Sequence, residues 1–163
     1  MASETTAAAT GEVGRLRHDP FAMLPFAGYN MADYFSHWLE MGERLGTDAP
    51  AVFSVNWFRK DADGRFIWPG FSENSRVIEW IVRRLEGQAG ARQTAIGALP
   101  LVDEFNVDGL EIDERALNDI LDVDRDAWQR ECAAVAEYFD TFDSTRFPDA
   151  LRQELDRVRL ELG

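Results

Sequence analysis

A concentration of aromatic residues at positions 56–80 constrains this chain more than any other feature. These 25 positions hold six of the 19 Phe, Trp and Tyr residues. Residues 51–58 are apolar and favour strands, residues 61–64 (Asp-Ala-Asp-Gly) form a turn sequence, and residues 65–68 resume the strand pattern. We therefore predict a β-hairpin here. Pro-Gly at 69–70 ends it, because proline cannot donate to a ladder and glycine bends freely.

The remainder of the chain is predominantly helical in pattern. Residues 72–75 offer N-cap candidates for a helix over residues 76–86, and Gly87 is a C-cap signal. Apolar residues at three- and four-residue steps predict further helices. These cover residues 31–45, 111–121, 125–142 and the segment after Pro148, whereas residues 88–98 read as a loop. The expected class is α/β, more narrowly α+β, with a short hairpin among several packed helices.

Charge and composition exclude several functions. The net charge is −13, with 30 acidic and 17 basic residues, which opposes nucleic-acid binding because that affinity depends on Lys and Arg. One cysteine, Cys132, provides neither a disulfide framework nor a clustered zinc site. No stretch approaches the ~20 apolar residues of a membrane span, and the N-terminus has no secretory pattern. We predict a cytoplasmic protein with no membrane or nucleic-acid partner.

Phosphate and metal motifs are missing from the sequence. A P-loop ends in Gly-Lys-Ser/Thr, but the single lysine, Lys60, follows Arg59. The two histidines, His18 and His37, are far apart and belong to no ligand motif. We therefore predict no metal site within these 163 residues.

The aromatic segment can be interpreted in two ways. Rings from two strands and the following turn can enclose a flat base, and stacking contributes roughly 1–3 kcal/mol per base. The amide of Asn74 could then read a polar edge of that base. Alternatively, Phe58, Phe66, Trp68 and Phe71 are simply core residues.

Several motifs in register resemble GTP-dependent phosphoenolpyruvate carboxykinase. Its guanine-binding segment is similar to Asn-Trp-Phe-Arg-Lys at 56–60, Trp-Pro-Gly-Phe at 68–71 and Glu-Asn-Ser-Arg at 73–76. Two upstream stretches, at 18–23 and 25–30, resemble the same family, and Ser-Glu-Thr-Thr-Ala-Ala-Ala at 3–9 resembles its active-site lid. The resemblance is dense from residue 3 to about residue 85.

This resemblance implies a role within a larger enzyme that converts oxaloacetate and GTP to phosphoenolpyruvate, GDP and carbon dioxide. The chain would be the C-terminal portion of the nucleotide-binding domain: a mobile lid (1–17), a guanine-binding core (18–87) and a helical part (88–163). The implied guanine site comprises Trp57, Phe58, Phe66, Phe71, Ser72, Glu73 and Asn74. The implied lid comprises Ser3, Glu4, Thr5, Thr6, Ala7, Ala8 and Ala9.

The same resemblance implies that no catalytic residue lies in this segment. The Mn²⁺ or Mg²⁺ of the complete enzyme would be bound by residues outside the chain, which alone would be inactive. The complete enzyme is expected to be monomeric. Two other hypotheses remain: a stand-alone, non-catalytic purine-nucleotide-binding module, and an α-rich interaction domain whose aromatic residues are all core.

Overall fold

The computed structural model describes residues 26–163 and, before them, only the backbone of two short strands. These strands, β1 (Ser3–Glu4) and β2 (Leu16–Arg17), pair in an antiparallel manner with Ser3 opposite Arg17. The rest of the predicted lid, residues 5–9, and the side chains of Ser3 and Glu4 lie outside the described residues. The lid therefore stays a prediction.

Residues 26–163 contain five α-helices and one further antiparallel strand pair. The helices are α1 (Met31–Leu45), α2 (Asn74–Leu85), α3 (Glu114–Leu121), α4 (Arg125–Phe139) and α5 (Asp149–Leu162). The strands are β3 (Ala91–Thr94) and β4 (Gly97–Pro100), and short 3₁₀ helices occupy Gly46–Asp48, Phe71–Glu73 and Val102–Glu104. The predicted α+β class is confirmed, and each predicted helix is present within a few residues of its expected ends. The chain forms two compact units, residues 1–49 with 125–163, and residues 50–124.

An aromatic core holds the first unit together. Helices α4 and α5 are antiparallel, since Gln129 near the start of α4 donates to the Arg159 carbonyl near the end of α5. The ring of Phe147 is buried and lies 4.7 Å from that of Phe139 and 6.0 Å from that of Phe35. Cys132 of α4 is also buried.

The second unit has its own core, and this core supports the aromatic segment. It is built from Trp68, Trp80, Ala89, Phe105 and Leu117, with Phe53 and Trp57 packed against it. Helix α2 contributes Trp80, α3 contributes Leu117, and the loop between them contributes Phe105. Trp68 is thus anchored from several elements at once, which fixes the chain immediately before α2.

The prediction of a strand at residues 51–58 is wrong. The segment is not part of any sheet, and the predicted hairpin reduces to one isolated antiparallel bridge between Lys60 and Phe66. Its inward and outward alternation is nevertheless present, because Phe53 and Trp57 are half-buried while Val52 and Phe58 are exposed. The periodicity reflected packing on a core, and a strand additionally requires a partner along its backbone.

The sheet forms instead where a loop was predicted. Strands β3 and β4 pair from Ala91 opposite Pro100 to Thr94 opposite Gly97. Thr94 Oγ1 donates to the Gly97 carbonyl at 2.7 Å, and Gly97 has a φ of 117° that L-residues rarely adopt. The Gly and Ala content of this stretch concealed the hairpin, since β3 (Ala-Arg-Gln-Thr) carries little strand-favouring sequence.

Candidate functional site

The turn at residues 61–64 brings Phe58, Lys60 and Phe66 together. The Asp61 carboxylate accepts from the backbone N–H groups of Asp63 and Arg65, each at 2.9 Å, and Gly64 takes a φ of 80°. The backbone hydrogen bond from Arg65, followed by its guanidinium, lowers the pKa of Asp61. The Phe58 and Phe66 rings lie 5.9 Å apart between centroids, at 63° to each other. The predicted turn is confirmed, and it positions two of the proposed site residues in contact.

Two cations near this turn have different roles. Lys60 Nζ lies over the Phe66 ring, 5.1 Å from its centroid. Arg59 Nη1 instead donates to the backbone carbonyls of Ile120 at 3.1 Å and Asp122 at 2.9 Å. Arg59 therefore ties the turn to the end of α3. The sequence analysis missed this anchor, because its partners lie about 60 residues away.

The three phenylalanines of the proposed guanine site are exposed. Their exposed fractions are 70% for Phe58, 58% for Phe66 and 95% for Phe71. Trp68, which is 6% exposed, belongs to the core. The hypothesis that all four are core residues is therefore wrong for the phenylalanines and correct for Trp68. Trp57 is half-buried against the same core.

Phe71 is both exposed and conformationally strained. Its φ is 47°, the left-handed region that costs a non-glycine residue roughly 1–2 kcal/mol. It starts the 3₁₀ turn Phe71–Glu73, directly after Gly70 at φ 79°. No other described aromatic ring contacts that of Phe71. The fold thus holds a large apolar side chain in water at an energetic cost, which is typical of a functional position.

Asn74 was among the predicted N-cap candidates, but its side chain does not cap the helix. It is the first residue of α2, following the 3₁₀ turn, and the residue before it makes no side-chain cap. Its Oδ1 instead accepts from Trp68 Nε1 at 2.9 Å. Ser75 Oγ donates to the Ser72 carbonyl at 2.7 Å and closes the turn. No described residue accepts from the Asn74 Nδ2 group, so this end of the amide is available for another role.

Glu73 is tied to the protein by its side chain. Its Oε2 accepts from Arg76 Nε at 2.6 Å, and Arg76 also donates to the carbonyls of Asn106 and Asp108. The hydrogen bond from Arg76, with that cation's charge, holds the pKa of Glu73 below its usual range. Glu73 and Arg76 therefore anchor the start of α2, and the Glu73 carboxylate is already engaged.

Glu73→Gln should make the free energy of unfolding less sensitive to acidic pH. A carboxylate whose pKa is lowered in the folded state stabilises the protein at neutral pH, and this stabilisation disappears as pH falls through the folded-state pKa. Urea unfolding from neutral pH to below about pH 4, the ordinary range of a glutamate, should show a shallower acid decline for the variant. Glu86→Gln, at the exposed end of the same helix, controls for loss of one charge. Identical acid profiles for wild type and Glu73→Gln would contradict the assignment.

Backbone donors complete the candidate site. The N–H of Glu73 donates to the Gly70 carbonyl, and that of Asn74 to the carbonyls of Phe71 and Ser72. Within the part of the chain that is described, the N–H groups of Phe71 and Ser72 have no acceptor. The candidate residues thus fall in two groups: the Phe58 and Phe66 rings at the turn, and the Phe71 ring, the Asn74 NH₂ and two backbone donors at the start of α2. Such a set can stack on a flat heterocycle and donate hydrogen bonds to acceptors at its edge.

An acidic cleft includes Phe66 in its lining. It has a volume of about 650 Å³ and is also lined by Asp61, Glu111, Asp113 and Asp119, with Arg65 as the one cation among the described lining residues. Because the carboxylates outnumber this cation, the cleft repels a phosphate group, and a bound nucleotide would have to direct its phosphates elsewhere. The cleft therefore does not suit a phosphate chain, whereas the exposed rings suit a base.

Metal and membrane features are limited in the described residues. Across positions 26–163, no three His, Cys, Asp or Glu side chains converge as metal ligands would, so these residues do not fit Mn²⁺ or Mg²⁺. In the same part of the chain, no helix has both the length and the apolar character needed to cross a bilayer.

Comparison with known proteins agrees with the motifs. The family model described as "Phosphoenolpyruvate carboxykinase C-terminal P-loop domain" matches residues 1–161. The chain is 53% identical over 163 residues to phosphoenolpyruvate carboxykinase [GTP] of Chlamydia caviae, covering 99% of this chain and 27% of that protein. It is 51% identical over 163 residues to the protein of that name from Chlamydia trachomatis, with the same coverage. It is 44% identical over 160 residues to that of an Arthrobacter species, covering 98% and 26%. The chain thus spans about a quarter of the length of these relatives.

Proposed function

The chain belongs to the phosphoenolpyruvate carboxykinase C-terminal P-loop domain family, and from this premise we propose that it supplies guanine recognition and the active-site lid to a GTP-dependent enzyme. In the proposed reaction, oxaloacetate loses carbon dioxide to give an enolate. The enolate oxygen then takes the γ-phosphoryl group of GTP, which leaves GDP and phosphoenolpyruvate. The stand-alone module is not favoured, because the matched relatives are named as enzymes.

One observation carries the proposal: three phenylalanines that the fold leaves in water stand close in sequence to Asn74. Packing within the second unit does not account for them, since Phe58, Phe66 and Phe71 are more than half exposed beside a core that contains Trp68 and Trp80. Exposed rings offer faces on which a purine can stack. A stacked purine would cover apolar surface that otherwise remains in contact with water.

The proposed division of labour follows from what the chain lacks. Phosphoryl transfer depends on positioning and on neutralising charge with cations and metal. The sequence has a net charge of −13 and one lysine, and its described residues do not converge on a metal. We therefore assign to this chain the base, and to other parts of the enzyme the phosphates, the metal and the carboxylate substrate.

Within this proposal, Phe58 and Phe66 form one wall of the base site and Phe71 another, with Trp57 behind them. Ser72 and Glu73 contribute through their backbone, since the Glu73 carboxylate is held by Arg76. Asn74 reads the base edge. The lid over residues 3–9 would exclude water during the reaction, as mobile loops do in many enzymes. We place the complete enzyme in the cytoplasm as a monomer.

A nucleotide titration tests the proposal. In the full-length protein, GDP should change tryptophan emission in a saturable manner, because Trp57 and Trp68 adjoin the site, and ADP should bind more weakly. Oxaloacetate with GTP should yield phosphoenolpyruvate faster than oxaloacetate with ATP. Phe58→Leu should weaken GDP binding, whereas Leu160→Ala, an exposed apolar residue of the other unit, should not. Equal affinity for GDP and ADP would refute guanine recognition.

A further inference from the structure

The hydrogen bond between Trp68 and Asn74 determines which end of the carboxamide can meet a ligand. Trp68 Nε1 lies 2.9 Å from Asn74 Oδ1. An indole N–H can only donate, so its partner must be the amide oxygen. The Nδ2 group, a pure donor, is therefore the end left for a ligand, and no described residue accepts from it.

The indole is held too firmly to release the amide at low cost. Trp68 is 6% exposed and packs edge-to-face with Phe105, at 5.9 Å between centroids and 70° between planes. Rotating the Asn74 amide would place Nδ2 against the indole N–H, donor against donor. It would also leave a buried N–H without an acceptor, which is unfavourable in a protein core.

We propose that Trp68 is a positioning residue for base specificity, which it exerts by fixing the Asn74 amide with its donor toward the base. Guanine has a carbonyl acceptor at its 6-position, whereas adenine has an amine donor there. A fixed NH₂ donor can hydrogen-bond the guanine carbonyl. With adenine, the same NH₂ would face the 6-amine, so two donors would oppose each other. The ligand class is thus a purine nucleotide with a 6-carbonyl group. This inference rests on the proposed function.

Two tryptophan variants of the full-length protein test the inference. Trp68→Phe keeps an aromatic ring and removes the N–H, so the amide can turn and present either end. We expect the ratio of ADP to GDP dissociation constants, measured by calorimetry, to fall by about tenfold, with GDP weaker and ADP tighter. Trp80→Phe is the matched control, because Trp80 is equally buried and its Nε1 has no hydrogen-bond partner. That variant should keep the wild-type ratio.

A third nucleotide and a third variant sharpen the result. IDP has the 6-carbonyl of GDP without the 2-amine, so the affinity for IDP should fall together with that for GDP in Trp68→Phe. Asn74→Asp keeps an acceptor for Trp68 but offers an oxygen to the base, and should favour ADP over GDP. This variant keeps an acceptor for the buried indole, so retained guanine preference in it overturns the inference even where Trp68→Phe does not fold.

The outcomes separate this inference from the proposed function. Wild-type protein that binds GDP and ADP equally overturns both. Wild type that prefers GDP, with a Trp68→Phe variant that keeps the ratio or loses both affinities equally, overturns the positioning role alone. Retained guanine preference in Asn74→Asp overturns the positioning role and also removes Asn74 from the proposed base site. A ratio that falls only in Trp68→Phe and reverses in Asn74→Asp supports the inference.

Discussion

Replacing Asn74 by alanine in the full-length protein should weaken GDP and GTP binding without weakening ADP binding. In the proposed site the carboxamide NH₂ donates to the base, and the variant loses that hydrogen bond. Such a loss costs about 1–3 kcal/mol, or roughly 5- to 150-fold in affinity. ADP gains nothing from this donor, and its 6-amine would no longer face it, so selectivity should fall by at least the same factor.

Calorimetry with GDP, GTP and ADP measures this effect, and a second asparagine provides the control. Asn118 is a helical residue of the same unit, and its amide donates to the Glu114 carbonyl. Asn118→Ala should leave every nucleotide affinity unchanged. Because Asn74→Ala also removes the acceptor of a buried indole, its melting temperature must be recorded with its affinities. Unchanged guanine preference in a folded Asn74→Ala protein would remove Asn74 from the site.

Phe71→Gly should stabilise the protein and impair nucleotide binding at the same time. Glycine relieves the left-handed strain of roughly 1–2 kcal/mol at φ 47°. It also adds chain entropy to the unfolded state, at a cost of roughly 0.5–1 kcal/mol, so the net gain is at most about 1.5 kcal/mol. Loss of the ring removes stacking of roughly 1–3 kcal/mol, which affects GDP and ADP equally because stacking is insensitive to the base.

Phe71→Ala separates the two effects, since it removes the ring and keeps the strain. Its nucleotide affinity should match that of Phe71→Gly, whereas its unfolding free energy should be lower than that of the glycine variant. Urea unfolding and calorimetry on the two variants give both quantities. Lower stability in Phe71→Gly than in Phe71→Ala would contradict the strained conformation. Unchanged nucleotide affinity in both would exclude Phe71 from the base site.

The helices could be read from the sequence because their signals are local. Apolar residues three and four apart predicted all five, Gly87 signalled the end of α2, and Pro148 preceded the start of α5. Strand pairing was harder to predict. Residues 51–58 have strand composition without a partner, and β3 and β4 have partners without strand composition, because pairing is a relation between two segments.

The candidate site could be listed from the sequence, but its internal contacts could not. Motif order identified the same seven residues that the proposal uses. Which of them touch each other depended on the turn at Asp61, on the core beneath Trp68 and on Arg76. These contacts join residues up to 32 positions apart. Hydrophobic periodicity and composition carry no information about which distant residues make such contacts.

The amino-acid sequence alone determined the helices, the acidic character, the absence of a P-loop motif and the family resemblance. Each of these depends on residue identity or on spacing within a few positions. Only the tertiary structure decided that Trp68 is buried while Phe58, Phe66 and Phe71 are exposed, and that Asn74 accepts from an indole instead of capping a helix. Burial and hydrogen-bond partners depend on which distant segments pack together, and packing is a property of the whole fold.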